Sequence, residues 1–403
     1  MRNQIRTAAA LALLACSALN AQADAITDWN TKAGEVIAEA RMGTPPAVRV
    51  MAFVQTAAFE AANAVTGRYP GSLVKAEAGS GAQADAAIAA ASRAALLKML
   101  PAQEATINAA YQAALAKLPE AGRAAGVAVG EKAAAAVFAA RADDVAIGPE
   151  QYRPATTAGV YVPTAMPAVP QWPQRKPWIL ARADQFRPAP PPALGSELWA
   201  RDYNEVRNVG SRNSTQRTAE QTDIARFWDF SLPAIYYGVV RSVAEQPGRE
   251  LTRNARLYAA VAQAMDDGLI AIMDAKYHYN FWRPISAIRN GDIDGNAATD
   301  RDASWVSLID SPMHPEYPSA HSILASSVGV LIKAEVGSAA LPVLATSSLT
   351  AKGATRSWTK IEDFTQEVAV SRIYGGIHYR VSTEIGSAMG RQLGELAAQK
   401  HLR

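Results

Sequence analysis

The chain has 403 residues, of which 49% are apolar and 19% charged, with a formal net charge of +3. This is the composition of a folded globular protein, not a disordered one, and the length allows one large core or two smaller ones. Lys and Arg are scattered, often beside Asp or Glu, without the concentrated basic stripe of a nucleic-acid-binding face, so an anion site must be a local pocket.

The chain opens like a signal peptide: Arg2 and Arg6 precede an apolar run over residues 8–19, and Ala21-Gln22-Ala23 offers small residues at a cleavage site. Cleavage after Ala23 is expected, with Ala25 as the second choice and lipidation at Cys16 as the alternative. The expected location is periplasmic or secreted. Cys16 is the one cysteine and lies inside that segment, which removes thiol chemistry, zinc–cysteine sites and iron–sulfur clusters from the mature protein. No later stretch is long and apolar enough to span a bilayer.

Residues 26–141 are rich in strong helix formers. Val50, Phe53, Val54, Ala57, Ala58 and Ala61 make one apolar stripe at helical spacing, ended by Gly67 to Pro70. Further helices are predicted over 84–99 and 103–117, punctuated by Pro101 and Pro119. Over 154–192 prolines recur every few residues with Tyr161, Trp172, Trp178 and Phe186 between them. This excludes helix and central strand, and implies an irregular connection packed over the helical body. Helices resume over 196–208, 218–230 and 251–278, the last with Met265, Leu269 and Met273 spaced by four. A polar loop is predicted over 290–302. Its Asp292-Ile-Asp294-Gly295-Asn296 resembles the start of a calcium loop, but the glycine is in the wrong place and a polar turn is expected. Helices over 319–335 and 382–399 complete an all-α protein with no β-alternation. The expected division is an N-terminal helical region with its proline-rich connection, 24–195, and a catalytic helical region, 196–403.

Three segments carry chemistry. In Lys276-Tyr-His-Tyr-Asn-Phe-Trp-Arg283-Pro284 the two cations are seven apart, which on one helix brings them within roughly 20° of the same face. Pro318-Ser319-Ala320-His321-Ser322 reads as a helix N-terminus, where free N–H groups and the dipole favour an anion and His321 can exchange a proton with it. In Ser371-Arg372-Ile-Tyr-Gly375-Gly376-Ile-His378 the two glycines predict a break that lets Arg372 and His378 converge. Taken singly, these read equally as helix-end cations, a serine cap and structural histidines.

In order and spacing the three resemble the signature K-x6-R-P, P-S-G-H, S-R-x5-H of type-2 phosphatidic acid phosphatases and vanadium-dependent haloperoxidases. Phe59-Glu60-Ala-Ala-Asn63, Gln185-Phe186-Arg187-Pro188, Arg217-Thr-Ala-Glu220-Gln221 and Tyr279-Asn280-Phe281-Trp282 are similar to segments of the bacterial haloperoxidase-like branch. The resemblance implies the helical bundle of that superfamily. It also implies an oxyanion, vanadate or phosphate, held by Lys276, Arg283, Ser319, the Ala320 backbone and Arg372. His378 would be the axial nitrogen, ligating vanadium or becoming a phosphohistidine, and His321 the proton-handling group on the other side. Similarity to that branch favours vanadate-dependent oxidation of halide by hydrogen peroxide. The alternatives are a periplasmic phosphatase acting on a phosphoester and a non-catalytic oxyanion-binding protein. Two positions depart from the pattern: Ala320 stands where the signature has glycine, and Ser382 stands where a carboxylate usually follows the last histidine by four. That leaves the orientation of His378 open. Glu384 is near in sequence, His314 is a candidate for lining the entrance, and His278 is expected to be structural.

Overall fold

The computed structural model describes residues 24–76, 81–144 and 152–402; the signal-peptide reading and Cys16 lie outside them. Among the described residues the chain forms α1 (Ala25–Glu39), α2 (Thr44–Thr66), α3 (Ala84–Met99), α4 (Glu104–Ala116), α5 (Arg123–Ala139), α6 (Glu197–Val209), α7 (Ala219–Phe227), α8 (Ala234–Ala244), α9 (Leu251–Tyr279), α10 (Pro284–Arg289), α11 (Ala320–Val336), α12 (Ile361–Tyr374) and α13 (Arg380–His401). One antiparallel hairpin, β1 (Leu344–Ser348) with β2 (Ala354–Trp358), lies between α11 and α12. The fold is all-α, and no helix among the described residues is long and apolar enough to cross a membrane.

The long helix α9 is the spine. Glu250 caps it by accepting from the Thr252 and Arg253 N–H groups. Almost every later residue of α9 up to Lys276 is buried, as expected for a helix surrounded by others. The stripe on α2 packs on one side of it, and α11 and α13 pack on the other, within one continuous apolar core. The start of α13 rides close to α11 because two of its residues lack side chains. A Cβ at Gly386 would lie 2.5 Å from the Ser319 carbonyl oxygen, and one at Gly390 would lie 2.4 Å from that of Ile323. This approach brings Ser382 to Ser319, whose N–H donates to the Ser382 carbonyl at 3.0 Å.

The proline-rich connection is irregular, as expected, and is tied down at several points. Buried Asp267 on α9 accepts from the backbone N–H groups of Trp178, Ile179 and Leu180 at 2.7–2.8 Å. Asp266 accepts from the Trp178 indole at 2.8 Å and from Arg49 at 2.7 Å. Farther along, the Tyr161 N–H donates to the Asn280 carbonyl and that of Ala168 to the Met313 carbonyl. The connection therefore straps the C-terminal end of α9 to the approach to α11.

The hairpin corrects the expectation of no β-structure. The buried positions of β1 are Leu344, Thr346 and Ser348, so its inward face is mostly hydroxyl and gives no apolar alternation. Those hydroxyls donate to main-chain carbonyls: Thr346 to Ile235 at 2.7 Å and Ser348 to Phe227 at 2.6 Å. The 290–302 loop is a polar turn, with Asp294 engaged by the Trp199 indole at 2.8 Å and the Thr299 hydroxyl at 2.7 Å.

Removing the Asp267 carboxylate would orphan three backbone donors at once. Each such group costs about 1–3 kcal/mol when left unsatisfied. Asp267→Ala should lower unfolding free energy by roughly 3 kcal/mol or more and open residues 154–192 to proteolysis, whereas Asp267→Asn, which keeps one acceptor oxygen, should do less. Denaturant melts and limited proteolysis of the three proteins check this.

Candidate oxyanion site

The two cations of the first segment do not share a helix face. Asn280 adopts φ 49° and ends α9, and Arg283 is the extended N-cap of α10, with Pro284 at its first position. The chain instead turns back, so both still face the loop before α11. Lys276 is fully buried, and its ammonium donates to the Pro315 and Glu316 carbonyls at 3.1 and 2.7 Å. Arg283 is equally constrained. Its Nε donates to the His314 carbonyl at 2.9 Å and its Nη1 to the Ile377 carbonyl at 2.8 Å. Its Nη2 lies 3.0 Å from His314 Nδ1, so His314 touches the site.

The second segment opens a helix as expected. Ser319 is the extended N-cap of α11 and Ala320 its first residue. No side chain caps the α11 N-terminus, which leaves first-turn N–H groups and the positive end of the dipole for a ligand. The Ser322 hydroxyl donates to the Ser319 hydroxyl at 3.1 Å, so the Ser319 proton is free to donate elsewhere. His321 hydrogen-bonds the Trp228 backbone, and its Nε2 is buried without a partner.

Arg372 sits in the last turn of α12. Its Nη1 donates to the Trp228 carbonyl, and its Nε is buried without a partner. The helix then breaks: Gly376 has φ 78°, a left-handed conformation open to glycine, and a Cβ there would lie 2.3 Å from the Gly210 carbonyl oxygen. The break carries His378 back toward the cations. Both His321 and His378 feel the charges of Lys276, Arg283 and Arg372, so the three segments meet in one place. His278 and Glu384 are exposed and play no part.

The residue the sequence did not expose is Glu316. It is fully buried. Its Oε1 is 2.7 Å from His378 Nδ1 and accepts from the Tyr379 N–H at 3.0 Å, while its Oε2 accepts from the Ser382 hydroxyl at 2.6 Å. The one sequence signal was indirect: a serine where a carboxylate is usual, and a glutamate inside the segment leading to Pro318-Ser319.

Burial dominates the electrostatics. It lowers Arg283 and Arg372 to about 10, still charged at neutral pH. Burial, reinforced by the Arg283 charge, pulls Lys276 well below its usual value. Glu316 is raised by burial to about 7, against the opposing pull of Arg283 and Lys276. All three site histidines, 314, 321 and 378, are pushed well below the ordinary imidazole range by burial and then by the neighbouring cations. Among the described residues no group of three His, Cys, Asp or Glu could hold a bare metal ion. The pocket is a set of donors with two orphaned polar atoms, His321 Nε2 and Arg372 Nε, which suits an oxyanion such as vanadate or phosphate.

The chain is similar to known proteins in sequence and in fold. Residues 256–403 match the family described as the VCPO second helical-bundle domain. The chain is 26% identical to vanadium chloroperoxidase of Curvularia inaequalis over 36% of its length, a match that spans 29% of that protein. Its fold superposes on a bacterial vanadium-dependent iodoperoxidase with TM-score 0.80 and 23% identity, covering 93% of this chain and 96% of that one. A holo-type bacterial vanadium-dependent chloroperoxidase gives TM-score 0.71 and 18% identity, covering 90% and 94%. The fold of the chain is therefore that of the bacterial vanadium-dependent haloperoxidases, and residues 256–403 carry the family match.

Because the folded-state pKa values of the site histidines are depressed, each should be neutral wherever an ordinary histidine is half protonated. In the anion-free protein the ring nitrogens of His314, His321 and His378 should show no titration between roughly pH 6 and 8. NMR of histidine-labelled protein reads this directly.

Proposed function

We propose that this chain is a vanadate-dependent haloperoxidase-like enzyme that oxidises halide with hydrogen peroxide, His378 being the vanadium-ligating nitrogen. The observation that carries the reading is the pair of histidines beside three buried cations, buried His378 with Nδ1 engaged by Glu316 and His321 with its Nε2 atom buried and unpartnered. The fold relatives, described as vanadium-dependent iodo- and chloroperoxidases, support it over a phosphatase.

Vanadate, when bound, supplies a Lewis-acidic centre at its highest oxidation state, where peroxide is activated toward halide. The chain's own residues do the rest. Lys276, Arg283 and Arg372 set a fixed positive field for an oxyanion. The Ser319 hydroxyl and the Ala320 N–H add neutral donors at the α11 N-terminus. His378, neutral, presents its Nε2 lone pair. His321, also neutral at rest, can take a proton at Nε2 from incoming peroxide and return it. The three cations are at most 2% exposed, so bulk water does little to screen their charges.

We further propose export, with Asp24 as the mature N-terminus. Asp24 N-caps α1 by accepting from the Thr27 N–H at 2.9 Å and accepts from Asn254 at 2.7 Å. Cleavage after Ala25 would discard both contacts. Intact-mass measurement of the exported protein should give a chain starting at Asp24, and acylation at Cys16 would refute this.

Vanadate-loaded protein should oxidise a halide with hydrogen peroxide, and turnover of a phosphoester by the vanadate-free protein would identify a phosphatase instead. The histidines should separate by role. His321→Ala should keep vanadate affinity close to wild type while turnover falls about 10²–10⁴-fold, the usual worth of general acid–base help. His378→Ala should lose affinity and activity together. Calorimetric vanadate titrations and rates on the same samples decide it, and the reverse pattern would show that the roles are exchanged.

A further inference from the structure

We propose that Glu316 is the positioning residue of His378, replacing from another segment the carboxylate absent at position 382, with Ser382 as its complementary partner. The inference rests on the vanadate reading for its functional consequence, but the geometry stands on the protein alone.

Two independent contacts give His378 the same tautomer. An arginine N–H can only donate. Arg283 Nη1 approaches His378 Nε2 at 3.4 Å, so Nε2 is the unprotonated nitrogen. The proton then sits on Nδ1, which is 2.7 Å from Glu316 Oε1, a carboxylate oxygen that accepts it. Fixing the proton on Nδ1 leaves the Nε2 lone pair for the oxyanion side, which is what an outer carboxylate does for a ligating histidine.

Glu316 is held so that it can do little else. Its two oxygens take the Tyr379 N–H and the Ser382 hydroxyl besides the ring. Its own N–H donates to the Phe281 carbonyl at 2.8 Å, and its carbonyl accepts from Lys276 at 2.7 Å. One residue thus sets the axial histidine through its side chain and a pocket cation through its main chain.

Ser382 explains why the carboxylate can come from here. Its hydroxyl is 2.6 Å from Glu316 Oε2. An aspartate at 382 would put a second carboxylate against the first in a buried site, where two like charges cannot both stay ionised. Position 316 and position 382 therefore form an exchangeable pair in which one carries the carboxylate and the other must not.

The test compares wild type, Glu316→Ala, Ser382→Asp and the double variant Glu316→Ala/Ser382→Asp, all checked for folding by thermal melts. Nitrogen-15 NMR reads the His378 tautomer without ligand, and calorimetry reads vanadate affinity. Wild type should show a single Nδ1–H tautomer. Glu316→Ala, with Arg283 alone left to set the ring, should show a mixture of tautomers and bind vanadate about 10–100-fold more weakly. Ser382→Asp alone should also weaken binding, and the double variant should recover the tautomer and most of the affinity. An Nε2–H tautomer in wild type would overturn the proposal even if no variant folds. So would an unchanged tautomer in Glu316→Ala, or a folded double variant that recovers nothing. A wild type that binds no vanadate would sink the haloperoxidase reading alone, since the tautomer measurement needs no ligand.

Discussion

Burying a cation away from water costs several kcal/mol unless fixed partners replace its hydration. Lys276, Arg283 and Arg372 are all at most 2% exposed, and their partners are mainly backbone carbonyls: Pro315 and Glu316 for Lys276, His314 and Ile377 for Arg283, Trp228 for Arg372. Much of the local fold follows from that demand. The loop over 314–316 and the glycine break after α12 aim carbonyls inward, and α7 ends with its last carbonyls facing the site and the hairpin. A main-chain carbonyl satisfies a cation without neutralising it, so the positive charge gathered there is not cancelled by its partners.

The scaffold holds those loops by a few specific contacts. Gly386 and Gly390 let α13 approach α11 closely enough for Ser319 and Ser382 to bond through their backbones. Asp267 gathers three N–H groups of the connection onto α9, and the connection in turn pairs with Asn280 and Met313 beside the cations. On the other flank, the hairpin hydroxyl of Ser348 holds the Phe227 carbonyl, and Glu367 holds the Trp228 indole at 3.0 Å. The carbonyl shared by Arg372 and His321 is therefore braced from two directions.

The two site histidines live in different surroundings for this reason. His378 is anchored by a carboxylate on one ring nitrogen and faced by a guanidinium on the other. His321 leans on the Trp228 backbone and keeps Nε2 unpartnered. A ring held by a charged acceptor has a fixed tautomer and suits ligation, while a ring bonded only to a neutral group is freer to change protonation.

The helical class, the apolar stripe of α2, the irregular strap and the three chemistry-bearing segments were all legible in the sequence, because helix periodicity, proline and motif spacing are local properties. The break at Gly375-Gly376 was legible for the same reason. The face shared by Lys276 and Arg283 was not, since Asn280 ends the helix in a left-handed residue before Arg283 is reached. The hairpin escaped because its inward side chains bond carbonyls of α7 and α8 instead of presenting an apolar row. Glu316 escaped most completely: it lies 62 residues from the histidine it holds, and its place just before Pro318-Ser319 does not say which residue it meets. Sequence marked which donors and histidines lie together. Only the packing of α9, α11 and α13 decided which carboxylate would meet His378, because partners distant in the chain are chosen by where the backbone places them.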